Sequence, residues 1–284
     1  MRKILLVDNG SLRPQATLNL RRLAQALSQT TRHEVEAASL LHSYKIPAEE
    51  LEGRKAVSLG PLAEQFAAQG ATELVILPFF FGPSQALTRY LPERLAEVQA
   101  RHPRLSIKVA LPLVDTQTPP DLRLAQLLAD NVREQMQGTS PPKVVLVDHG
   151  SPIPDVTAVR NYLAGQLSVL LSDEASCVTF ASMERREGDA YRFNEPLLED
   201  LLASPTMADS EVILAMLFLS PGRHAGEGGD IAEICAQAMA QSPGLHVTTT
   251  RLAGEHDAIL EVLTTRLSEG LIGSPLLLSL PASG

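Results

Sequence analysis

Two stretches of this chain, Ile4–Ser11 (ILLVDNGS) and Val144–Ser151 (VVLVDHGS), are almost the same sequence 140 residues apart. Each is a run of four apolar residues closed by a polar turn, the pattern of a short buried strand. Gly10 and Gly150 permit a tight turn after it, and Ser151 or Asp155 can cap the next helix. In an α/β sheet, the residue at the carboxyl end of a central strand stands where such folds bind ligands. That residue is Asn9 in the first copy and His149 in the second.

The repeat extends well beyond these two stretches. In the first half, strands are expected at Ile4–Val7, Val35–Leu40, Leu74–Phe80 and Ile107–Leu111, with helices at Pro14–Ser28, Leu59–Gln69, Gln85–Arg101 and Asp121–Met136. After a Gly- and Pro-rich linker, Gly138–Pro142, strands are expected at Val144–Val147, Cys177–Ser182, Val212–Leu219 and Leu245–Thr250. Their helices are expected at Val156–Leu171, Glu195–Leu202, Asp230–Gln241 and Ala258–Leu267, before a Pro- and Ser-rich tail. Strands alternating with helices of this size imply parallel βαβ units. The two halves align at three separate motifs: Asn9 meets His149 at an offset of 140, Leu41 meets Glu184 at 143 and Gln85 meets His224 at 139. Such constancy argues for duplication and fusion. The fold class is therefore α/β, with two similar domains, 1–137 and 143–270, related by a pseudo-two-fold axis, and a tail, 271–284. A chain of 284 residues suits two domains at roughly 100–200 residues each. It is expected to be a monomer that is internally a pseudo-dimer.

Composition removes several classes of function. Net charge is −9, which argues against nucleic acid or an anionic membrane as partner. No apolar run reaches the roughly 18 residues of a membrane span, and Met1-Arg2-Lys3 leads straight into a strand without a secretory signal. Cys177 and Cys235 lie in no zinc-type spacing and read as small apolar filler in a reducing cytoplasm.

At all three aligned positions the second half carries a metal-ligand residue type and the first does not. His149, Glu184 and His224 face Asn9, Leu41 and Gln85. Each lies just past a strand, and in a parallel sheet those ends share one edge, so the three can converge. Two imidazoles and a carboxylate suit a borderline divalent ion such as cobalt, iron, nickel or zinc. The stretch Ser220–Ile231 (SPGRHAGEGGDI) has four glycines in twelve residues, which allows close backbone approach to a ligand. It fits neither a phosphate-cradling loop nor a dinucleotide fingerprint. Asp148-His149-Gly150-Ser151 lacks the Gly-x-Ser-x-Gly of a nucleophile elbow.

DHGS after the first strand of the repeat, ASME after the second, and PGRH with a trailing GGDI after the third resemble the sirohydrochlorin chelatases. These are the class II, ATP-independent, CbiX-like enzymes. The resemblance covers both halves to about Leu267. It implies two flavodoxin-like domains, and insertion of cobalt(II) or iron(II) into sirohydrochlorin on the way to cobalamin or sirohaem. It implies metal binding and proton acceptance by His149 and His224, with Glu184 as the accompanying carboxylate. The metal is then a substrate, and neither nucleotide nor flavin is required. Asn9, Leu41 and Gln85 cannot form a second site of this kind, so one centre is expected. Substrate carboxylates could pair with Arg223 and with Arg185, Arg186 and Arg192 after the second strand, with Gly150, Ser151 and Gly222 in the adjoining turns.

Metal insertion displaces two pyrrole protons, so the protein must hold the ion loosely, hold the ring and accept protons. Imidazole titrates near neutrality, at about 6.5 unperturbed, and serves either task. Three alternatives remain: a metal- or tetrapyrrole-binding protein without turnover, a ferrochelatase acting on a more apolar porphyrin, and a flavodoxin-like redox protein. Both cobalt and iron suit two His and one Glu, and the residue chemistry does not choose between them.

Overall fold

The strands that carry the repeated stretch are central because nothing polar interrupts them. Ile4–Val7 and Val144–Val147 are each at most 3% exposed, as strands covered on both faces must be. In a computed structural model that describes residues 1–116, 120–138, 140–226 and 228–276, they form β1 (Arg2–Asp8) and β5 (Lys143–Asp148). The first half continues with α1 (Pro14–Thr31), β2 (Val35–Ser39), α2 (Leu59–Ala68), β3 (Glu73–Pro78), α3 (Leu91–Arg101), β4 (Ser106–Val109) and α4 (Arg123–Arg133). The second half continues with α5 (Pro154–Leu170), β6 (Cys177–Ser182), α6 (Leu198–Leu202), β7 (Glu211–Met216), α7 (Asp230–Gln241), β8 (His246–Leu252) and α8 (Ile259–Ile272).

Two all-parallel sheets result, ordered β2-β1-β3-β4 and β6-β5-β7-β8. This is the flavodoxin-like order without its fifth strand, with its switch point between the first and third strands of each sheet. The registers match as well as the order. Ile4 pairs with Val35 as Val144 pairs with Val178, and Lys3 with Leu74 as Lys143 with Val212. In the first sheet, α2 and α3 cover one face, burying Leu59, Leu62, Phe66, Leu91 and Leu95 on Leu5, Val7 and Ile76. In the second, α6 and α7 do the same with Leu198, Leu202, Ile231 and Cys235 on Val145, Val147 and Leu214. Cys235 is the apolar filler expected, and burial pushes its thiol up to about 11; Cys177, at the first position of β6, is exposed.

Local chemistry altered two helices. The expected helix from Gln85 opens with a π-helical turn, Ala86–Tyr90, before α3, whose start holds Pro92. Pro92 lacks the N–H that would bond the Thr88 carbonyl, so the regular ladder breaks there. In the expected helix Glu195–Leu202, only Leu198–Leu202 is helical. Pro196 and Leu197 instead run beside β6, where the Ser182 N–H donates to the Pro196 carbonyl at 3.1 Å.

The compact units are Met1–Asp115 with Leu260–Gly284, and Thr116–Ile259. The expected division at 137 and 143 follows the sequence repeat, whereas packing exchanges the last helix of each half. α4 packs on α5 and β7, and its Arg133 binds Glu174 through Nε and Nη2 at 2.9 and 2.7 Å. α8 belongs to the first unit: Arg266 donates to the Leu113 carbonyl at 3.3 Å, and Gly270 lies on Ala110. Of the expected tail, the Leu276 N–H donates to the Ile107 carbonyl beside β4 at 2.8 Å; 277–284 lie outside the described residues, as does Thr139 of the linker. No helix among the described residues is long and apolar enough to cross a membrane.

Candidate active site

The turn after β5 is built by a close backbone crossing. Met183 N–H donates to the Asp148 carbonyl at 2.8 Å and Glu184 N–H to the His149 carbonyl at 3.1 Å, so the chain leaving β6 lies against the chain leaving β5. Gly150 makes the crossing possible. Its φ is +93°, and a Cβ there would stand 1.9 Å from the Glu184 carbonyl oxygen. The crossing sets Glu184 beside His149, with Oε1 3.3 Å from Nε2. His149 Nδ1 lies 3.1 Å from the Gly150 carbonyl. With Nδ1 donating there, Nε2 and the carboxylate face each other as two acceptors, an arrangement completed by a proton or a cation between them.

His224 arrives from the loop after β7. The Ile231 N–H donates to the His224 carbonyl at 3.2 Å, folding the loop back onto the start of α7. Gly229 packs in this fold, where a Cβ would meet the carbonyls of Arg223, His224 and Gly226 at 2.7–3.0 Å. His224 Nδ1 lies 2.5 Å from Asp230 Oδ2. That contact assigns the proton to Nδ1 and leaves Nε2 with its lone pair, as carboxylate partners of ligating imidazoles do. The rings of His149 and His224 meet edge to face, centroids 4.6 Å apart. The side chains of His149, Glu184 and His224 are 43%, 58% and 31% exposed, open to an incoming ion. Among the described residues, no group of three or more His, Cys, Asp or Glu is arranged to hold a metal ion as it stands. His149 and Glu184 face each other, and His224 is turned to Asp230.

The other expected residues serve the scaffold to different degrees. Neither Ser151 nor Asp155 caps α5, whose N-cap is Ile153 with Pro154 next in the chain. Ser151 Oγ accepts the Ile153 N–H at 3.0 Å instead. Asn194, which no sequence pattern singles out, brackets Ser151: Oδ1 accepts its N–H and Nδ2 donates to its carbonyl, both at 2.9 Å. Arg185 is turned into its own loop, donating to the carbonyls of Arg186 and Gly188 and pairing with Glu195 at 3.1 Å. Arg223, its side chain 80% exposed, has Nε 3.9 Å from Asp230 Oδ2, the oxygen that also meets His224, and a Cβ on Gly222 would face open space. Asp230 was legible as a helix start but not as the partner of His224; its position six residues after a loop histidine is the only signal.

The first unit repeats this backbone without its chemistry. Leu40 and Leu41 N–H donate to the carbonyls of Asp8 and Asn9 at 2.9 and 3.0 Å. Gly10, at φ +88°, leaves 1.7 Å between an added Cβ and the Leu41 oxygen. Ser43 brackets Ser11 as Asn194 brackets Ser151. Asn9 and Leu41 stand where His149 and Glu184 stand in the second unit, and Gln85 is exposed ahead of the π-helical turn.

Solved structures share this fold. Of solved structures, SirB from Bacillus subtilis with Fe3+ superposes with a TM-score of 0.70 at 16% identity, covering 95% of this chain and 96% of that one. The sirohydrochlorin chelatase SirB from Bacillus subtilis subspecies spizizenii, in complex with cobalt, gives 0.68 at 16% identity over 95% and 94%. CbiX, described as the terminal enzyme for biosynthesis of siroheme in denitrifying bacteria, gives 0.60 at 17% identity over 94% and 98%. At these identities the likeness is one of fold, and no curated relative matches in sequence. The CbiX family model, however, matches residues 3–135 and again 143–270, each of the two repeats in turn, and on that double match the chain belongs to the CbiX family.

Proposed function

We propose that this chain inserts a divalent metal, cobalt(II) or iron(II), into sirohydrochlorin. The observation that carries the reading is His149 lying 3.3 Å from Glu184 and ring to ring with His224 in a CbiX-family repeat. The metal is a substrate that enters, is held briefly and leaves in the product. His149 and His224 offer Nε2 lone pairs to it, and Glu184 supplies a carboxylate that offsets its charge. Insertion exchanges one divalent ion for two pyrrole protons. Once the ion has passed to the ring, one displaced proton can sit between the facing acceptors His149 Nε2 and Glu184 Oε1, and the second can go to the lone pair of His224 Nε2 and on to solvent. The partial exposure of the three side chains suits an ion that must leave, where a structural metal would sit in a closed shell. Arg223, exposed and 3.9 Å from Asp230 Oδ2, is an arginine that a substrate carboxylate can reach.

The test is absorbance of sirohydrochlorin with cobalt(II) and with iron(II) under anaerobic conditions, on the parent and five single variants. His149→Ala and His224→Ala should lower insertion by more than the roughly 10–100-fold typical of groups behind a metal ligand. Glu184→Ala should slow turnover as much as it weakens metal binding. Asn9→Ala and Gln85→Ala should change little. Metal uptake without insertion would make the protein a binder rather than an enzyme, and turnover only with less carboxylated porphyrins would make it a ferrochelatase of another kind.

A further inference from the structure

We propose that Arg160 is a positioning residue for the His149 turn, a role that rests on the chelatase reading of that site. The Arg160 side chain is completely buried in α5. A buried ion pair is weak evidence for stability, since a well-packed apolar residue of similar volume often serves as well. This chain contains that apolar alternative. α1 and α5 match position for position, with Thr17, Leu23, Ala24 and Leu27 buried as Thr157, Leu163, Ala164 and Leu167 are, and the buried counterpart of Arg160 is Leu20. The repeat without metal-ligand residues thus folds with leucine, and the repeat that has them keeps a charge.

The contacts of the guanidinium explain the difference. Arg160 Nη1 donates to Ser182 Oγ and, at 2.9 Å, to the Asn194 carbonyl, and it lies 3.5 Å from Asp148 Oδ1. Ser182 Oγ donates in turn to Asp148 Oδ1 at 2.6 Å. The plane of the group lies over Phe180, 4.5 Å from the ring centre. One side chain thereby ties the residue before His149, the residue two before Glu184, and the asparagine that brackets Ser151. In the first unit Asp8 keeps the hydroxyl of Ser39, the counterpart of Ser182, but leucine stands where the guanidinium would be, and this leaves a trace. Asp8 Oδ1 and Thr17 Oγ1, on the counterparts of Asp148 and Thr157, are buried without a hydrogen-bond partner, whereas Thr157 Oγ1 donates to Asn194 at 3.1 Å.

The test uses R160L, the residue of the first repeat, and R160K, which keeps the charge but loses the planar fork. Three readouts are taken: cobalt(II) titration by absorbance, insertion kinetics as kcat and metal KM, and the 15N imidazole resonances of His149. R160L should fold, by circular dichroism and cooperative melting, yet lose about 10- to 100-fold in metal affinity or insertion rate, with the single Nδ1–H tautomer of His149 replaced by a mixture. R160K should resemble R160L. Failure of R160L to fold would make Arg160 a stability residue and overturn the proposal. So would parental metal titration and an unchanged His149 spectrum in R160L, or full function in R160K. A parent protein that does not insert metal would sink the chelatase reading instead, while the titration and the spectrum still decide the role of Arg160.

Discussion

Asp8 and Asp148 are the same residue in two copies, and their surroundings set them apart. Both are buried at a strand end, and burial pushes both carboxyls up. Arg160 and the Ser182 hydroxyl oppose this at Asp148. Asp8 has the Ser39 hydroxyl and the Gly10 N–H but no guanidinium, and it is pushed up to about 6 from an ordinary 3.8. Folding therefore favours the protonated form of Asp8. Its penalty is absent below the unfolded value, grows as pH rises from about 4 to about 6, and is complete above that. The difference corresponds to about 3 kcal/mol at neutral pH. Asp8→Asn should thus gain stability relative to the parent as pH rises from 4 to 7, by up to that amount, in parallel urea titrations. A constant gap across that range would show that Asp8 does not titrate in the fold.

At the scale of elements, the crossing of the β5 and β6 exits is the feature on which the site depends. An alanine at Gly150 meets a carbonyl oxygen at 1.9 Å, and no rotamer relieves a clash with backbone. Left-handed backbone adds about 1–2 kcal/mol for a residue with a Cβ. Gly150→Ala should push Glu184 away from His149 and lower metal affinity at least tenfold by cobalt titration. Gly10→Ala meets the Leu41 oxygen at 1.7 Å and should destabilise its unit to a similar degree, with metal binding unchanged. Equal losses of metal affinity in the two variants would tie the first unit to the metal site.

For the whole molecule, the exchange of α4 and α8 makes each repeat incomplete alone. Val262, Leu263 and Leu267 of α8 are at most 1% exposed in the first unit. At about 1.5–3 kcal/mol for each such side chain, they contribute roughly 5–9 kcal/mol, comparable with the whole stability of a domain. A chain ended at Ile259 should lose cooperative melting of the first unit and bind a hydrophobic dye. A fragment of residues 1–137 should fare no better, since it keeps α4, whose Leu124, Leu127, Leu128 and Val132 are buried in the second unit, and lacks α8. A monomeric, cooperatively folding 1–137 fragment, seen by sedimentation and hydrogen exchange, would show that the repeat is self-sufficient.

The sequence by itself determined the duplicated α/β plan, the spans of β6 and α7 to the residue, and the strand ends just past which His149 and Glu184 stand, whereas β7 ends at Met216, three residues short of the expected Leu219, and leaves His224 in the loop beyond it. Those features rest on local chemistry: apolar runs between breakers, turn glycines, and a comparison of one half with the other. The tertiary structure alone decided where the last helix of each half packs, because an apolar helix face does not say which sheet it will cover. It alone paired His224 with Asp230, turned Arg185 into its own loop, and joined Arg160 to Ser182 and Asn194. The last of these bonds link residues 22 and 34 positions apart, brought together by burial. A charge in the core needs partners, and only the packed chain determines which groups come within reach.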